Sequence, residues 1–176
     1  DSLPSRGLGD VYKRQYKGNL IIRVNPISEQ VGQDDITMLS ENDLSSIAFM
    51  VPKIEESDLI TNLPDVDVIA LLETPVSIKN ISEIASQVKV KGLALGGADL
   101  SASLGSTMDW DSLLYSRSKI VQEAAINNLF SIDSPFMNID NLDALKDESI
   151  KSKRLGFNGK AAIHPVSYTH LTLPTT

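Results

Sequence analysis

Six short apolar runs alternate with helix-like segments along this 176-residue chain, and this alternation constrains the fold most. The runs predict strands at 20–25, 47–51, 66–72, 91–95, 130–133 and 160–164. The segments between them predict helices at 34–41, 57–63, 75–85, 99–104, 109–128 and 140–155. Because each helix returns the chain to the starting edge, such strands form a parallel sheet. Right-handed crossovers would curl six strands into most of a (β/α)₈ barrel, two strands short of closure.

Two acidic residues stand just past neighbouring strands of this predicted sheet. The apolar run 67–72 ends at Glu73, and the run 90–95 is followed by Gly96, Gly97, Ala98 and Asp99. Ligands of α/β proteins bind where the carboxyl ends of parallel strands meet, and two carboxylates there can share a hard cation such as Mg²⁺. The alternative is that each carboxylate only caps the helix that follows it.

The composition excludes several classes of site and partner. The chain has no cysteine, so disulfides and thiolate metal sites are excluded, and its two histidines cannot build a zinc site alone. A net charge of −7 argues against binding to nucleic acid or to anionic membranes. No apolar stretch is long enough to span a bilayer, and no signal-peptide pattern precedes the first strand. We therefore expect a cytoplasmic enzyme with neither nucleic acid nor membrane as its partner.

The two ends of the chain look foreign to the periodic part. The stretch Asp10-Val11-Tyr12-Lys13-Arg14-Gln15 is one reading frame of the transposon mosaic end used in tagmentation sequencing libraries. The stretch Val166-Ser167-Tyr168-Thr169-His170-Leu171 is a frame of its reverse complement. Neither end has strand or helix periodicity. We therefore expect 1–15 to be a non-native leader, 166–176 to be a non-native tail, and 16–165 to be the native domain.

Six motifs occur in a fixed order along 16–165 and carry a family resemblance. They are Arg23-Val24-Asn25-Pro26, Val51-Pro52-Lys53, Leu72-Glu73-Thr74, Gly96-Gly97-Ala98-Asp99-Leu100, Ile132-Asp133-Ser134-Pro135 and Gly156-Phe157-Asn158-Gly159-Lys160-Ala161-Ala162-Ile163-His164-Pro165. Together they resemble the citrate lyase β-subunit-like (CitE-like) CoA-ester lyases of the HpcH/HpaI aldolase superfamily. The resemblance covers essentially the whole of 16–165.

This resemblance implies a partial TIM barrel. The family fold is a (β/α)₈ barrel, and the six motifs match its strands three through eight. The first two strands, which carry a further arginine and an acidic motif in the family, are missing, and so are the family's C-terminal helix and tail. We therefore expect the isolated fragment to be inactive, with open parallel edges that favour aggregation.

The resemblance also implies the roles of three residues. Glu73 and Asp99 would hold Mg²⁺, and waters and a 2-oxo or 2-hydroxy acid would fill the remaining positions. Arg23 would bind the substrate carboxylate through its planar guanidinium, with a surface salt bridge as the alternative. Apart from the resemblance, the backbone N–H groups of Ala98 and Asp99 stand at a predicted helix start, where such groups can cradle a carboxylate. No general base is assigned.

Three more polar residues stand at strand ends with their roles left open. Lys53 lies near an acyl-CoA or only at the barrel rim, and Asp133 orients ligands or caps a turn. His164 is a base or a structural residue.

The implied reaction is carbon–carbon bond cleavage that depends on Mg²⁺. A citryl-, malyl- or citramalyl-type thioester of CoA or acyl-carrier protein would give an acetyl thioester and a 2-oxo acid. The alternatives are a class II pyruvate-type aldolase that does not use CoA and a non-catalytic subunit that only binds acyl thioesters. The family also implies a homo-oligomer, a trimer or a hexamer.

Overall fold

The computed structural model describes residues 20–138 and 140–163, and the strands within these ranges form one parallel sheet. The strands follow each other in sequence order, from β1 to β6, and each pairs in parallel with its neighbour. Their bounds are β1 Leu20–Arg23, β2 Ile47–Pro52, β3 Asp67–Leu72, β4 Val90–Leu95, β5 Phe130–Asp133 and β6 Gly159–Lys160. This confirms the predicted α/β half-barrel.

Helices fill the connections between these strands. They are α1 Gln30–Ser40, α2 Asp58–Thr61, α3 Pro75–Lys79, α4 Ile81–Ala85, α5 Gly97–Leu104, α6 Leu114–Asn127 and α7 Leu142–Leu155. The connection from β3 to β4 holds α3 and α4, and the connection from β4 to β5 holds α5 and α6. None of the helices in the described ranges combines the length and the apolarity that a membrane crossing needs.

Several predicted bounds shift: the strand predicted at 20–25 ends at Arg23, and the helix predicted at 34–41 begins at Gln30. Three further elements also differ from the structure. The long helix predicted from residue 109 begins at Leu114, because the Asp109 carboxylate accepts the N–H of Ser112 (3.0 Å) and holds the chain in a turn. The helix predicted at 75–85 is divided at Asn80, whose side chain donates to the Glu55 carbonyl (2.8 Å). The last strand, predicted at 160–164, covers only Gly159–Lys160: residues 161–163 are described and are not in a strand, and His164 lies outside the described residues.

The sheet has an outer face under the helices and an inner face without them. On the outer face, alternate strand residues such as Phe49, Val68 and Leu93 join helix residues such as Ile84 and Ile120 in the main core. The residues between them form a second, smaller cluster of strand side chains: Met50, Ile69, Leu71, Ala94 and Ile132. Since strand side chains alternate between faces, the residue two positions after Leu71, which is Glu73, also belongs to the inner face.

The two edge strands remain open within the described residues. The strand β1 pairs only with β2, and β6 pairs only with β5. The inner-face side chains of Ile21 on β1 and Phe130 on β5 are each 48% exposed. The sheet is therefore a half-barrel. The inner-face side chains of its central strands bury one another, and those nearer its edges are half exposed.

Candidate active site

Glu73 lies at the junction between β3 and α3, and the residues that follow fix this junction. Thr74 is the N-cap of α3: its hydroxyl accepts the N–H of Ser77 (3.1 Å), and the Ser77 hydroxyl accepts the N–H of Thr74 (3.2 Å). Pro75 occupies the first helical position, where its missing N–H removes nothing from the helix. Because Thr74 caps the helix, the alternative that Glu73 is an N-cap is wrong.

Asp99 lies in the first turn of α5, on the neighbouring connection. The N-cap of α5 is Gly96, and no side chain caps this helix. The alternative that Asp99 is an N-cap is therefore also wrong, although its charge suits the positive end of the helix dipole. Asp99 and Ala98 are both exposed at the helix start. Both carboxylates are thus available for another role.

Gly96 presses the start of α5 against Glu73. A Cβ atom at Gly96 would lie 2.4 Å from the Glu73 Cβ and 2.9 Å from its Oε2. The Gly96 φ of −90° is open to any residue, so glycine is required for close approach and not for its conformational freedom. This contact brings the turn that carries Asp99 beside the Glu73 side chain.

The electrostatics of Glu73 favour the presence of a further positive charge beside its carboxylate. Its side chain is 2% exposed, and burial, followed by the negative charge of Asp99, raises the pKa of Glu73. The positive charge of Arg23 and the backbone N–H of Lys53 lower this pKa without offsetting the rise. Within the described residues, the buried Oε1 atom of Glu73 has no hydrogen-bond partner. A buried, unpartnered carboxylate oxygen beside a second carboxylate fits a bound cation.

The donor set fits Mg²⁺ in particular. Glu73 and Asp99 offer hard carboxylate oxygens, which Mg²⁺ prefers. In the part of the chain that is described, no group of three or more His, Cys, Asp or Glu side chains could hold a metal. Mg²⁺ is commonly bound by one or two carboxylates, and the remaining positions are filled by water and substrate oxygens. Two protein ligands are therefore sufficient for this ion.

The other two predicted site residues lie around this pair of carboxylates. Arg23 is the last residue of β1, is exposed, and is close enough to Glu73 to affect its pKa. Among the described residues it joins none of the close ion pairs, so the alternative of a surface salt bridge has no support. At the start of α5, the first backbone N–H to donate a helical hydrogen bond is that of Leu100, which donates to the Gly96 carbonyl (3.0 Å). The Ala98 and Asp99 amides precede it, where helix N–H groups lack helical acceptors.

The backbone of Lys53 is a feature of the site that the sequence did not predict. Lys53 follows β2, which lies between β1, whose last residue is Arg23, and β3, which Glu73 directly follows. Its φ of +51° is unusual for a residue other than glycine, and its N–H faces the Glu73 carboxylate. Nothing in the sequence indicates this left-handed conformation.

Asp133 and Arg117 have a structural role, as partners in a buried ion pair. The full burial of Arg117 was not predicted from the sequence. The register places Ile132 on the inner face, so Asp133 points to the outer face and away from the predicted ligand site. Its carboxylate accepts from the Arg117 Nε (2.9 Å) and from the Lys160 Nζ (3.0 Å). Arg117 and Asp133 are both fully buried. His164 lies outside the described residues.

The comparison with known proteins gives the same assignment as the motifs. A profile of the HpcH/HpaI aldolase/citrate lyase family matches residues 10–165. The chain belongs to this family. The match begins at residue 10, so the expected boundary at residue 16 stays a prediction. The predicted resemblance to CitE-like lyases is confirmed.

Two relatives and one solved structure illustrate the similarity. The chain is 29% identical to a (3S)-malyl-CoA thioesterase of Cereibacter sphaeroides, over 82% of this chain and 52% of the relative. It is 26% identical to the human mitochondrial citramalyl-CoA lyase, over 82% of this chain and 50% of the relative. The Mycobacterium tuberculosis protein CitE, solved with magnesium, acetoacetate and coenzyme A, matches with a TM-score of 0.77 and 25% identity, over 88% of this chain and 61% of that one. The chain spans about half the length of these curated relatives.

Proposed function

We propose that this sequence forms the metal-binding half of a Mg²⁺-dependent carbon–carbon lyase that acts on acyl-CoA thioesters. The observation that carries the proposal is the buried Oε1 of Glu73, which lacks a partner among the described residues and lies beside Asp99. Glu73 and Asp99 would hold the ion. When bound, Mg²⁺ supplies a positive charge that polarises the oxygen on the cleaved carbon.

The residues of the chain have separate roles in this proposal. Arg23 binds the carboxylate of the 2-oxo or 2-hydroxy acid part and fixes its orientation, and the backbone N–H groups of Ala98 and Asp99 donate to the same carboxylate from the helix side. The Lys53 amide holds the Glu73 carboxylate in place. In the retro-Claisen direction, the hydroxyl group on the cleaved carbon loses its proton and its oxygen forms the carbonyl of the 2-oxo acid. The carbon–carbon bond breaks at the same time, and its electrons pass to the thioester α-carbon, which then takes a proton. The products are an acetyl thioester and a 2-oxo acid, and the group that moves the proton remains unassigned.

The substrate class is supported by what the relatives act on and bind. The two relatives described above are named for malyl-CoA and citramalyl-CoA, and the M. tuberculosis structure holds magnesium and coenzyme A. These names favour a CoA thioester over a thioester of acyl-carrier protein. A trimeric or hexameric assembly and a cytoplasmic location stay predictions.

The metal site can be tested directly on the 176-residue chain. Mn²⁺ replaces Mg²⁺ at oxygen sites, and its free concentration can be followed by electron paramagnetic resonance. We expect saturable Mn²⁺ binding that Mg²⁺ displaces and that the variant Glu73→Gln loses. Glu83→Gln is the matched control, since Glu83 is an exposed residue of α4 away from the site. Equal Mn²⁺ binding by the wild type and by Glu73→Gln would refute the proposal.

The reaction can be tested in a full-length chimera. Residues 16–165 replace the corresponding segment of the human citramalyl-CoA lyase, and the chimera is assayed with citramalyl-CoA and with free citramalate. We expect cleavage of the thioester alone, lost with Glu73→Gln. Equal cleavage of both compounds would favour a pyruvate-type aldolase that does not use CoA. Thioester binding without cleavage, in a folded chimera that binds Mn²⁺, would favour a non-catalytic subunit.

A further inference from the structure

We infer that Ser134 is a positioning residue for Asp99 and that it acts through Gly97. The inference rests on the proposed metal site and adds a residue that does not itself touch metal or substrate. Ser134 follows β5 directly, and Gly97 is the first residue of α5, two positions before Asp99. The two residues meet because β5 is the neighbour of β4 in the sheet.

The contact between Ser134 and Gly97 leaves no space for a larger residue. A Cβ atom at Gly97 would lie 2.9 Å from the Ser134 Oγ and 3.0 Å from the Ser134 Cβ. The third neighbour, Met108 Cε at 3.1 Å, is the end of a flexible side chain and can move away. Gly97 lies in a right-handed helix, which any residue can adopt. Glycine is therefore required here for the close approach of Ser134 and not for its backbone conformation.

Ser134 is itself held firmly from the outer face of the sheet. It is fully buried, and its carbonyl oxygen accepts from the Lys160 Nζ (2.7 Å). Its hydroxyl accepts a longer bond from an Arg117 terminal nitrogen (3.4 Å). The same two cations bind the preceding residue, Asp133, at 2.9 and 3.0 Å. The buried ion pairs therefore fix the side chain against which the start of α5 rests.

Two contacts on opposite sides of the start of α5 determine the position of Asp99. Gly96 rests against Glu73 after β3, and Gly97 rests against Ser134 after β5. The glycine pair is thus wedged between the ends of the two strands that flank β4. A shift of α5 away from Ser134 would move Asp99 relative to Glu73, and metal affinity depends strongly on such small displacements.

A double-mutant cycle on the 176-residue chain tests this inference. The variants are Gly97→Ala, Ser134→Gly and the two together, with Mn²⁺ affinity measured by electron paramagnetic resonance and unfolding by urea measured without metal. Each single change should weaken Mn²⁺ binding about tenfold, since one crowds the contact and the other leaves a gap. The double variant should return to within about threefold of the wild type, because the new methyl group enters the space that the serine side chain leaves.

Gly105→Ala is the matched control on the same helix. Gly105 ends α5 at a φ of +65°, and nothing lies within 4 Å of an added Cβ. This change should lower stability through backbone strain and leave Mn²⁺ affinity unchanged. Additive losses of affinity in the cycle would overturn the inference, as would single variants that lose stability and keep their affinity. If the wild type binds no Mn²⁺, the proposed function fails as well, so the two failures can be told apart.

Discussion

At the end of β3 lies a buried carboxylate that the described residues do not fully satisfy. Glu73 is 2% exposed, and its Oε1 has no hydrogen-bond partner in the described part of the chain. Burial and the charge of Asp99 both disfavour the ionised form in the folded state. Such a residue opposes folding in the absence of a bound cation. This cost to stability is expected at a position where the side chain is selected for ligand binding rather than for stability.

We predict that Glu73→Gln stabilises the metal-free chain at neutral pH. The pKa of Glu73 is raised from its ordinary value of 4.5 in the folded state, so the ionised carboxylate opposes folding above that raised pKa. The wild type should gain stability relative to the variant as the pH falls through the raised pKa toward 4.5. Urea unfolding across this range, with a chelator present, measures the difference between the two free energies of unfolding. A constant difference at all pH values would contradict the prediction.

We predict that Gly96→Ala removes metal binding at a measurable loss of stability. The new Cβ would meet the Glu73 Cβ at 2.4 Å and its Oε2 at 2.9 Å, so the carboxylate must move. Overpacking of this kind destabilises by about 1–3 kcal/mol. Mn²⁺ titration and urea unfolding give the two measurements. Gly159→Ala is the comparison, because its added Cβ would meet only ordinary contacts at 3.5 Å; Mn²⁺ binding by Gly96→Ala at wild-type affinity would contradict the prediction.

At the scale of elements, buried ion pairs join two strands to two helices. Asp133 at the end of β5 binds Arg117 of α6 and Lys160 of β6. Lys160 also binds Glu148 of α7 (2.7 Å), and the Arg117 guanidinium lies 4.6 Å from the centre of the Trp110 ring. These contacts fix the last βα unit to the rest of the sheet, where β6 alone contributes only two residues of strand.

We predict that Arg117→Met destabilises the chain by about 3–5 kcal/mol, because it leaves a fully buried carboxylate with one cation fewer. Lys151→Met is the control. Lys151 is an exposed cation of α7 whose Nζ lies 5.9 Å from the same Trp110 ring, so its replacement should change stability by less than about 1 kcal/mol. Urea unfolding of both variants tests the contrast, and equal effects would show that burial of the ion pair is unimportant.

At the scale of the whole molecule, the described residues form an open sheet rather than a closed barrel. In the described ranges, β1 and β6 each lack a second neighbour, and apolar inner-face side chains stand half exposed beside the open edges. Unpaired parallel edges and exposed apolar surface both favour association with other chains.

We predict that the 176-residue chain self-associates through this inner face as its concentration rises. Ile21→Lys should weaken the association several-fold, because it places a charge beside the open β1 edge. Val88→Lys is the control, since Val88 is 87% exposed and lies in the turn before β4, not on the inner face. Sedimentation velocity over a concentration series gives the measurement. Equal weakening by both changes, or by neither, would contradict the prediction.

The amino-acid sequence by itself determined the order of the elements and the identity of the candidate ligands. These features depend only on residues that are close together in the chain. They are the apolar runs of strand length, Pro75 at a helix start, and the positions of Glu73 and Asp99 after neighbouring strands. Only the tertiary structure decided that Gly96 rests on Glu73, that Gly97 rests on Ser134, and that Arg117 is buried against Asp133. Those contacts join residues from different βα units, and their distances depend on how the sheet curves and how each helix packs on it. The local pattern carries no information on that curvature.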